Sequence, residues 1–359
     1  MKNKQNQIIP TEKITEITAA YDAGVKVADI ISKYNLDIHP SQLSRLLPPI
    51  ETEHECPYCG IKMKRPRKRE IYINPMQIRC EQCGHSMERR CECSNCESIK
   101  EKENAIKKKI IFDYYREEIP AEKLKYTNLV LEERYYLYLL YVLESKYRDL
   151  ATIKKNPMRK KTANMLLAKL QEMKIIYVSP LSDVYAFDDK DFPAISYPDS
   201  VDYMVNVEFS KEEEEAISRR NFIFENIEIE EIKDFLYKLV YDDLLDYFGE
   251  ELAKRKIRFV PTEKQLKEFQ LLLTKLSYTQ IKFLCLKVVK YYSDELAKKT
   301  LYRSKVPGQV LASVNNFYQN NMRNGWAIHR ADPEYAGFLL KYFVVDILGE
   351  DIMILDRVL

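Results

Sequence analysis

The chain has 359 residues, of which 46% are hydrophobic and 31% charged, enough for two or three domains with buried cores. No apolar run approaches the roughly 18 residues of a membrane span, so no membrane partner is expected. The opening MKNKQNQIIP lacks a signal-peptide stretch, so the expected location is cytoplasmic, where clustered cysteines bind metal more often than they form disulfides.

The net charge of +2 hides an asymmetry. Residues 1–176 carry 33 Lys and Arg against 24 Asp and Glu, a balance of +9, while residues 177–359 carry 24 against 31, a balance of −7. A basic front half points to a polyanionic partner there. The expected fold class is mainly α with small β elements.

Residues 1–50 read as three short helices. Ile14, Ile17 and Tyr21 share one face of the first, and Val27, Ile31 and Tyr34 point inward from the second. The third, PSQLSRLL, starts near Pro40 and is stopped by Pro48 and Pro49. This segment resembles the helix-turn-helix of bacterial resolvases, transposases and repressors, with Ile31, Tyr34, Asn35 and Leu36 matching the turn and its hydrophobic plug. Two departures from that pattern are Asn35 in place of the usual turn glycine and a turn about two residues long at Ile38 and His39. The resemblance implies that Ser41, Gln42, Ser44 and Arg45 face DNA.

Residues 51–97 hold C-P-Y-C and, twenty residues on, C-E-Q-C. Two Cys-x-x-Cys turns at this spacing suit a tetrahedral zinc site, with Cys56, Cys59, Cys80 and Cys83 as ligands. Cys91, Cys93 and Cys96 follow, and with His85 or His54 they make a candidate second zinc site; other pairings of the knuckles stay open. Between the first two knuckles, Lys62, Lys64, Arg65, Arg67, Lys68 and Arg69 form a basic run on a hairpin arm or tip. A phosphate backbone would neutralise it. The RCEQCGH knuckle resembles those of zinc ribbons in transposases and general transcription factors, which implies a nucleic-acid or a protein partner.

Residues 98–130 read as a helical linker. Residues 131–190 offer a strong helix (LEERYYLYLLYVLES), a second over YRDLATIKKN, a third over RKKTANMLLAKLQEMK, then two strands, IIYVSP and DVYAF, about a Ser-Pro-Leu-Ser turn. That order resembles a winged helix, whose recognition helix would expose Arg159, Lys160, Lys161 and Asn164 to DNA.

Residues 191–359 are first acidic, with Glu212 to Glu215 in a row, and then helical. Thr262 and Ser277 are expected N-caps. Cys285 is expected in a core and Trp326 in a core or an interface. This region would oligomerise, as a homodimer, or recruit a protein.

Enzyme signatures are absent. No two of the eight glycines lie at G-x-G spacing, and there is no G-x-S-x-G elbow. No catalytic residue is assigned. His329 with Asp332 would make a dyad only by exception, and Asp242, Asp243 and Asp246 are expected to be a solvated helix face.

The sequence thus points to a zinc-containing DNA-binding protein with a role in transcription regulation, or in DNA recognition for a mobile element or a phage-defence system. RNA is the alternative nucleic acid. A protein–protein adaptor and a metal-dependent nuclease or integrase-like enzyme are the other readings.

Overall fold

The computed structural model describes residues 11–67, 77–88, 90–144, 150–156 and 161–358. It is mainly helical, 54% helix and 8% strand, with only small sheets. The chain divides into two compact units, Met1–Tyr114 and Tyr115–Leu359.

In the first unit, α1 (Thr11–Asp22) and α2 (Val27–Lys33) precede a 3-10 turn (Pro40–Gln42) and a single helical turn, α3 (Leu43–Leu46). Ile17, Tyr21, Ile30, Leu43 and Leu47 form one small core, with Ile14, Val27, Tyr34 and Leu36 packed on it. The inward face of α2 is therefore Val27, Ile30 and Tyr34, spaced three and four residues apart. Ile30, not Ile31, is the residue that is buried. Asn35 takes a left-handed φ of 53°, a conformation that asparagine tolerates better than most residues.

Two antiparallel strands follow, β1 (Ile50–Glu55) and β2 (Lys62–Arg65), with Glu51 opposite Lys64 and Glu55 opposite Lys62. Arg79 extends this ladder, exchanging both backbone hydrogen bonds with Lys64 at 2.8 Å. The long α4 (Ser94–Arg116) begins inside the second cysteine group and carries the chain into the second unit.

The second unit begins with β3 (Leu124–Lys125) and is built around α5 (Leu131–Leu143). Residues Arg134 to Tyr141 of α5 are all buried, so the helix has no solvated face in its middle. Its polar tips are satisfied by backbone carbonyls, as burial demands. Tyr135, Tyr138 and Tyr141 donate to the carbonyls of Leu339, Arg220 and Leu150 at 2.6–2.7 Å. The Arg134 guanidinium donates to those of Leu129, Thr127 and Glu225.

A three-stranded antiparallel sheet joins β4 (Thr152–Ile153), β5 (Ile176–Val178) and β6 (Tyr203–Val205), with β6 in the centre; α6 (Lys161–Glu172) lies between β4 and β5 in sequence. This corrects two expectations. Residues 152 and 153 of the expected second helix are strand, because the β-branched Thr152 and Ile153 pair with Met204 and Tyr203. The partner of β5 is β6, more than twenty residues on, while DVYAF is a 3-10 turn at Val184–Ala186 capped by the Asp183 carboxylate.

Beyond β7 (Val207–Glu208), which runs parallel to β3, come α7 (Lys211–Ser218), α8 (Ile229–Lys254), α9 (Glu263–Gln270), α10 (Tyr278–Ala297), α11 (Val310–Arg323) and α12 (Phe338–Tyr342). Ser210, Thr262 and Ser277 each accept from a backbone N–H three residues on, closing capping boxes with Glu213, Gln265 and Gln280. Glu212, Glu214 and Glu215 lie on the solvated face of α7, whereas Glu213 turns in to cap.

Candidate metal centres

Each of the first two cysteine pairs sits on a tight turn with the same backbone wiring. Cys56 N donates to Ile61 O and Gly60 N to Cys56 O; Cys80 N donates to His85 O and Gly84 N to Cys80 O, all at 2.8–2.9 Å. Gly60 and Gly84, each four residues after the first cysteine of its pair, take φ of +65° and +70°. A Cβ there would be strained, so C-x-x-C-G is the complete local instruction for the turn. Met63 and Ile78 fill the space beneath the two turns.

The turns bring Cys56, Cys59, Cys80 and Cys83 together, every sulfur within 4.8 Å of every other. The Cys56 and Cys83 sulfurs are 3.5 Å apart. Four thiolates at about 2.3 Å from one tetrahedral zinc would be about 3.8 Å from each other, so the donor set fits a soft divalent ion. The N–H groups of Cys83 and Gln82 draw the Cys80 thiol down to about 7, against the effect of burial. Hydrogen bonding to Cys83, with burial, pushes Cys59 up to about 12. A positive ion among these sulfurs removes that mutual opposition.

A second cluster gathers His85, Cys91, Cys93 and Cys96, again within 4.8 Å. His85 Nδ1 is 3.8 Å from Cys93 Sγ and 3.3 Å from Cys96 Sγ. An imidazole and a thiolate sharing a tetrahedral zinc are separated by about 3.5 Å, so this set fits as well. Burial opposes the Cys91 thiolate, but the N–H groups of Ser86 and Cys93 hold it at about 6. Between His85 and His54, the structure selects His85; His54 is exposed on β1. Both clusters can hold a metal ion such as zinc, and among the described residues no other group of ligating side chains converges.

The basic run is more internally paired than its sequence suggests. Lys64 binds the Glu81 carboxylate at 2.7 Å, which with Glu51 holds its ammonium above the ordinary lysine range despite desolvation. Arg67 is held by Asp22 and by Pro48 O. Lys62 and Arg65 make no ion pair among the described residues. Lys68 and Arg69, like Arg159 and Lys160, lie outside those residues.

In the 40–47 segment, Ser41, Gln42 and Arg45 are exposed and Ser44 is half-buried. Gln42 Oε1 accepts from His39 N at 3.1 Å and Ser41 Oγ meets His39 Nδ1 at 2.8 Å, so both also cap their own turn. On α6, Lys161 is exposed, but Asn164 is half-buried with a buried Oδ1 that has no hydrogen-bond partner among the described residues.

Four readings of the second unit meet the structure. Asp243 is not a solvated carboxylate, since Tyr278 donates to it at 2.7 Å and Gly337 N at 2.8 Å. Asp332 spends its carboxylate on Glu334 N, and the His329 ring lies against Phe283. Cys285 is fully buried on α10, whereas Trp326 is 64% exposed and anchors no core.

The sequence reading missed Tyr58. It occupies the third position of C-P-Y-C, and its ring and hydroxyl reach the second cluster. Only the placement of its aromatic ring inside a ligand turn marks it in the sequence.

No family model, curated protein or solved structure matches the chain.

Proposed function

We propose that the chain is a zinc-containing DNA-binding protein in which residues 11–47 act as a helix-turn-helix, residues 51–97 as a zinc ribbon and the α5–β6 region as a winged helix. It would serve transcription regulation or DNA recognition for a mobile element or a phage-defence system. The observation that carries this reading is the pair of candidate metal clusters in the same unit as a strand whose Lys62 and Arg65 make no ion pair among the described residues. Arg45 and Arg79 add exposed cations in the same unit. On this reading Arg45, Gln42 and Ser41 approach base edges and Lys62 and Arg65 meet phosphates.

Affinity for duplex DNA across a salt series, with protein of known zinc content, tests it. Log affinity should fall with log salt by about 0.9 for each phosphate contact. Lys62→Ala with Arg65→Ala should weaken binding to all sequences and flatten that slope by about 2. Binding that is absent or indifferent to salt would reject the proposal.

A second reading, a protein–protein adaptor, is favoured by the acids that flank the basic strand. Glu51, Glu55, Glu81 and Asp22 already supply much of the anionic charge that the run needs. Associations that survive nuclease treatment would put this reading first.

A further inference from the structure

Tyr58 belongs to one ligand turn and serves the other. Its backbone lies between Cys56 and Cys59 of the first cluster. Its hydroxyl reaches Cys96 Sγ at 3.2 Å, and its ring meets the His85 imidazole edge-on, with centroids 5.0 Å apart at 88°.

His85 is itself fixed by the first cluster, because its carbonyl accepts from the N–H of Cys80. Ser86, the next residue, bridges to Arg79 beside Cys80 and donates its N–H to Cys91 Sγ at 3.2 Å. Three of the four ligands of the second cluster are thus positioned by groups whose own place is set by the first: His85 through Cys80, Cys91 through Ser86, Cys96 through Tyr58. The first cluster has its own scaffold in the β1–β2 ladder and the Met63–Ile78 core.

We infer that the two centres are one coupled assembly, in which a metal ion in the Cys56, Cys59, Cys80 and Cys83 site builds the His85, Cys91, Cys93 and Cys96 site, with Tyr58 as the positioning residue between them. The ion closes the C-P-Y-C and C-E-Q-C turns and thereby orders Tyr58 and His85 before the second ion arrives. A hydrogen bond to a ligating sulfur also withdraws charge from it and fixes its direction. Losing such an outer partner typically costs about 10- to 100-fold in metal affinity. Coupling between sites is reciprocal, so an ion in the second site tightens the first by the same factor. The order arises because the first site has its own scaffold in the β1–β2 ladder and the Met63–Ile78 core. The inference rests on the metal reading of the two clusters and is independent of any nucleic-acid partner.

The test is a titration of the full chain, stripped of metal and fully reduced, with cobalt(II) as a coloured stand-in and zinc in competition. The wild type should take two equivalents, the first with the visible spectrum of a four-thiolate site and the second with that of a three-thiolate, one-imidazole site. Tyr58→Phe removes only a hydroxyl. It should leave the first equivalent's spectrum unchanged, shift the sulfur-to-metal band of the second and weaken the second about tenfold or more. Cys59→Ser with Cys83→Ser should weaken the remaining site by the coupling factor, about 5- to 150-fold. Cys96→Ser should still give the four-thiolate spectrum. The proposal is overturned if Tyr58→Phe leaves the second equivalent's band and affinity at wild-type values, or if the double serine variant binds its remaining ion as tightly as the wild type.

Discussion

The Arg67 guanidinium is clamped between the carboxylate of Asp22, the last residue of α1, and the carbonyl of Pro48, which follows α3. A cation at this place also meets the carbonyl end of α1, which favours positive charge. Arg67 thus ties the chain leaving β2 to the three-helix segment. Its side chain is 15% exposed and that of Asp22 48% exposed, so the ion pair is partly screened. Arg67→Ala should therefore destabilise the first unit by about 1 kcal/mol, seen as a lower denaturation midpoint. Arg65→Ala should leave that midpoint in place and lower DNA affinity instead. The opposite pattern, with Arg67→Ala costing affinity and no stability, would return Arg67 to the phosphate-binding group.

Removing the metal should unfold the cysteine-bearing segment and spare the second unit. Binding energy at such sites is folding energy for the turns they close. Chelation should make residues 56–96 sensitive to protease while most of the helical circular dichroism remains, since α5 to α12 hold no candidate ligand cluster among the described residues. Acid should do the same, because thiolate ligands must be deprotonated to bind, and protons compete as the pH falls. Loss of the whole helical signal on chelation would contradict this division.

The candidate metal clusters were legible in the sequence because their chemistry is local. Cysteine pairs three residues apart with a following glycine define a turn regardless of what surrounds it. The helices with apolar stripes and capping boxes were equally readable, as at Thr262 and Ser277. What was not readable depends on partners distant in the chain. The strand at Thr152 and Ile153 exists only because β6 lies some fifty residues on. The ion pairing of the basic run comes from Asp22 and Glu81, and β1 places glutamates opposite lysines by register, not by proximity in sequence. Asp243 read in the sequence like a solvated carboxylate until the fold put Tyr278 and Gly337 against it.

Gly337 is required for space and not for backbone freedom, its φ being an ordinary −64°. A Cβ at this position would stand 1.9 Å from Asp243 Oδ1. Asp243 is short and anchored by Tyr278, so it cannot swing away without breaking that bond. Gly337→Ala should lower the stability of the second unit by about 1–3 kcal/mol. Combining it with Asp243→Ala should cost less than the sum of the two single changes, because the clash is then gone. Strict additivity in a double-mutant cycle would show that the close approach is relieved in some other way.

Asp243, Tyr278 and Lys282 form a buried relay whose charges oppose one another's burial. Lys282 Nζ donates to Tyr278 Oη at 2.7 Å and to Tyr335 O at 2.6 Å, and lies 4.2 Å from the centre of the Tyr247 ring. Tyr278 in turn donates to Asp243. Tyr278→Phe leaves both ends short of a partner and should cost about 1–3 kcal/mol. Burial lifts the Asp243 carboxyl above its usual 3.8, although Tyr278, Lys282 and Gly337 N all favour the carboxylate. Burial likewise holds Lys282 below its usual 10.5, against the pull of Asp243. The signs then follow from linkage. The folded chain keeps the Asp243 proton to higher pH than the unfolded chain, so that contribution is complete below 3.8 and is lost as pH rises through the raised value. The Lys282 contribution is complete above 10.5 and is lost as pH falls through its lowered value. Asp243→Asn removes the first of these. The difference in unfolding free energy between wild type and Asp243→Asn, measured by denaturant titration from 3.8 upward, should shift against the wild type as pH rises. A difference that stays flat across that window would mean that Asp243 titrates alike in the folded and unfolded chain, and its burial would carry no linkage.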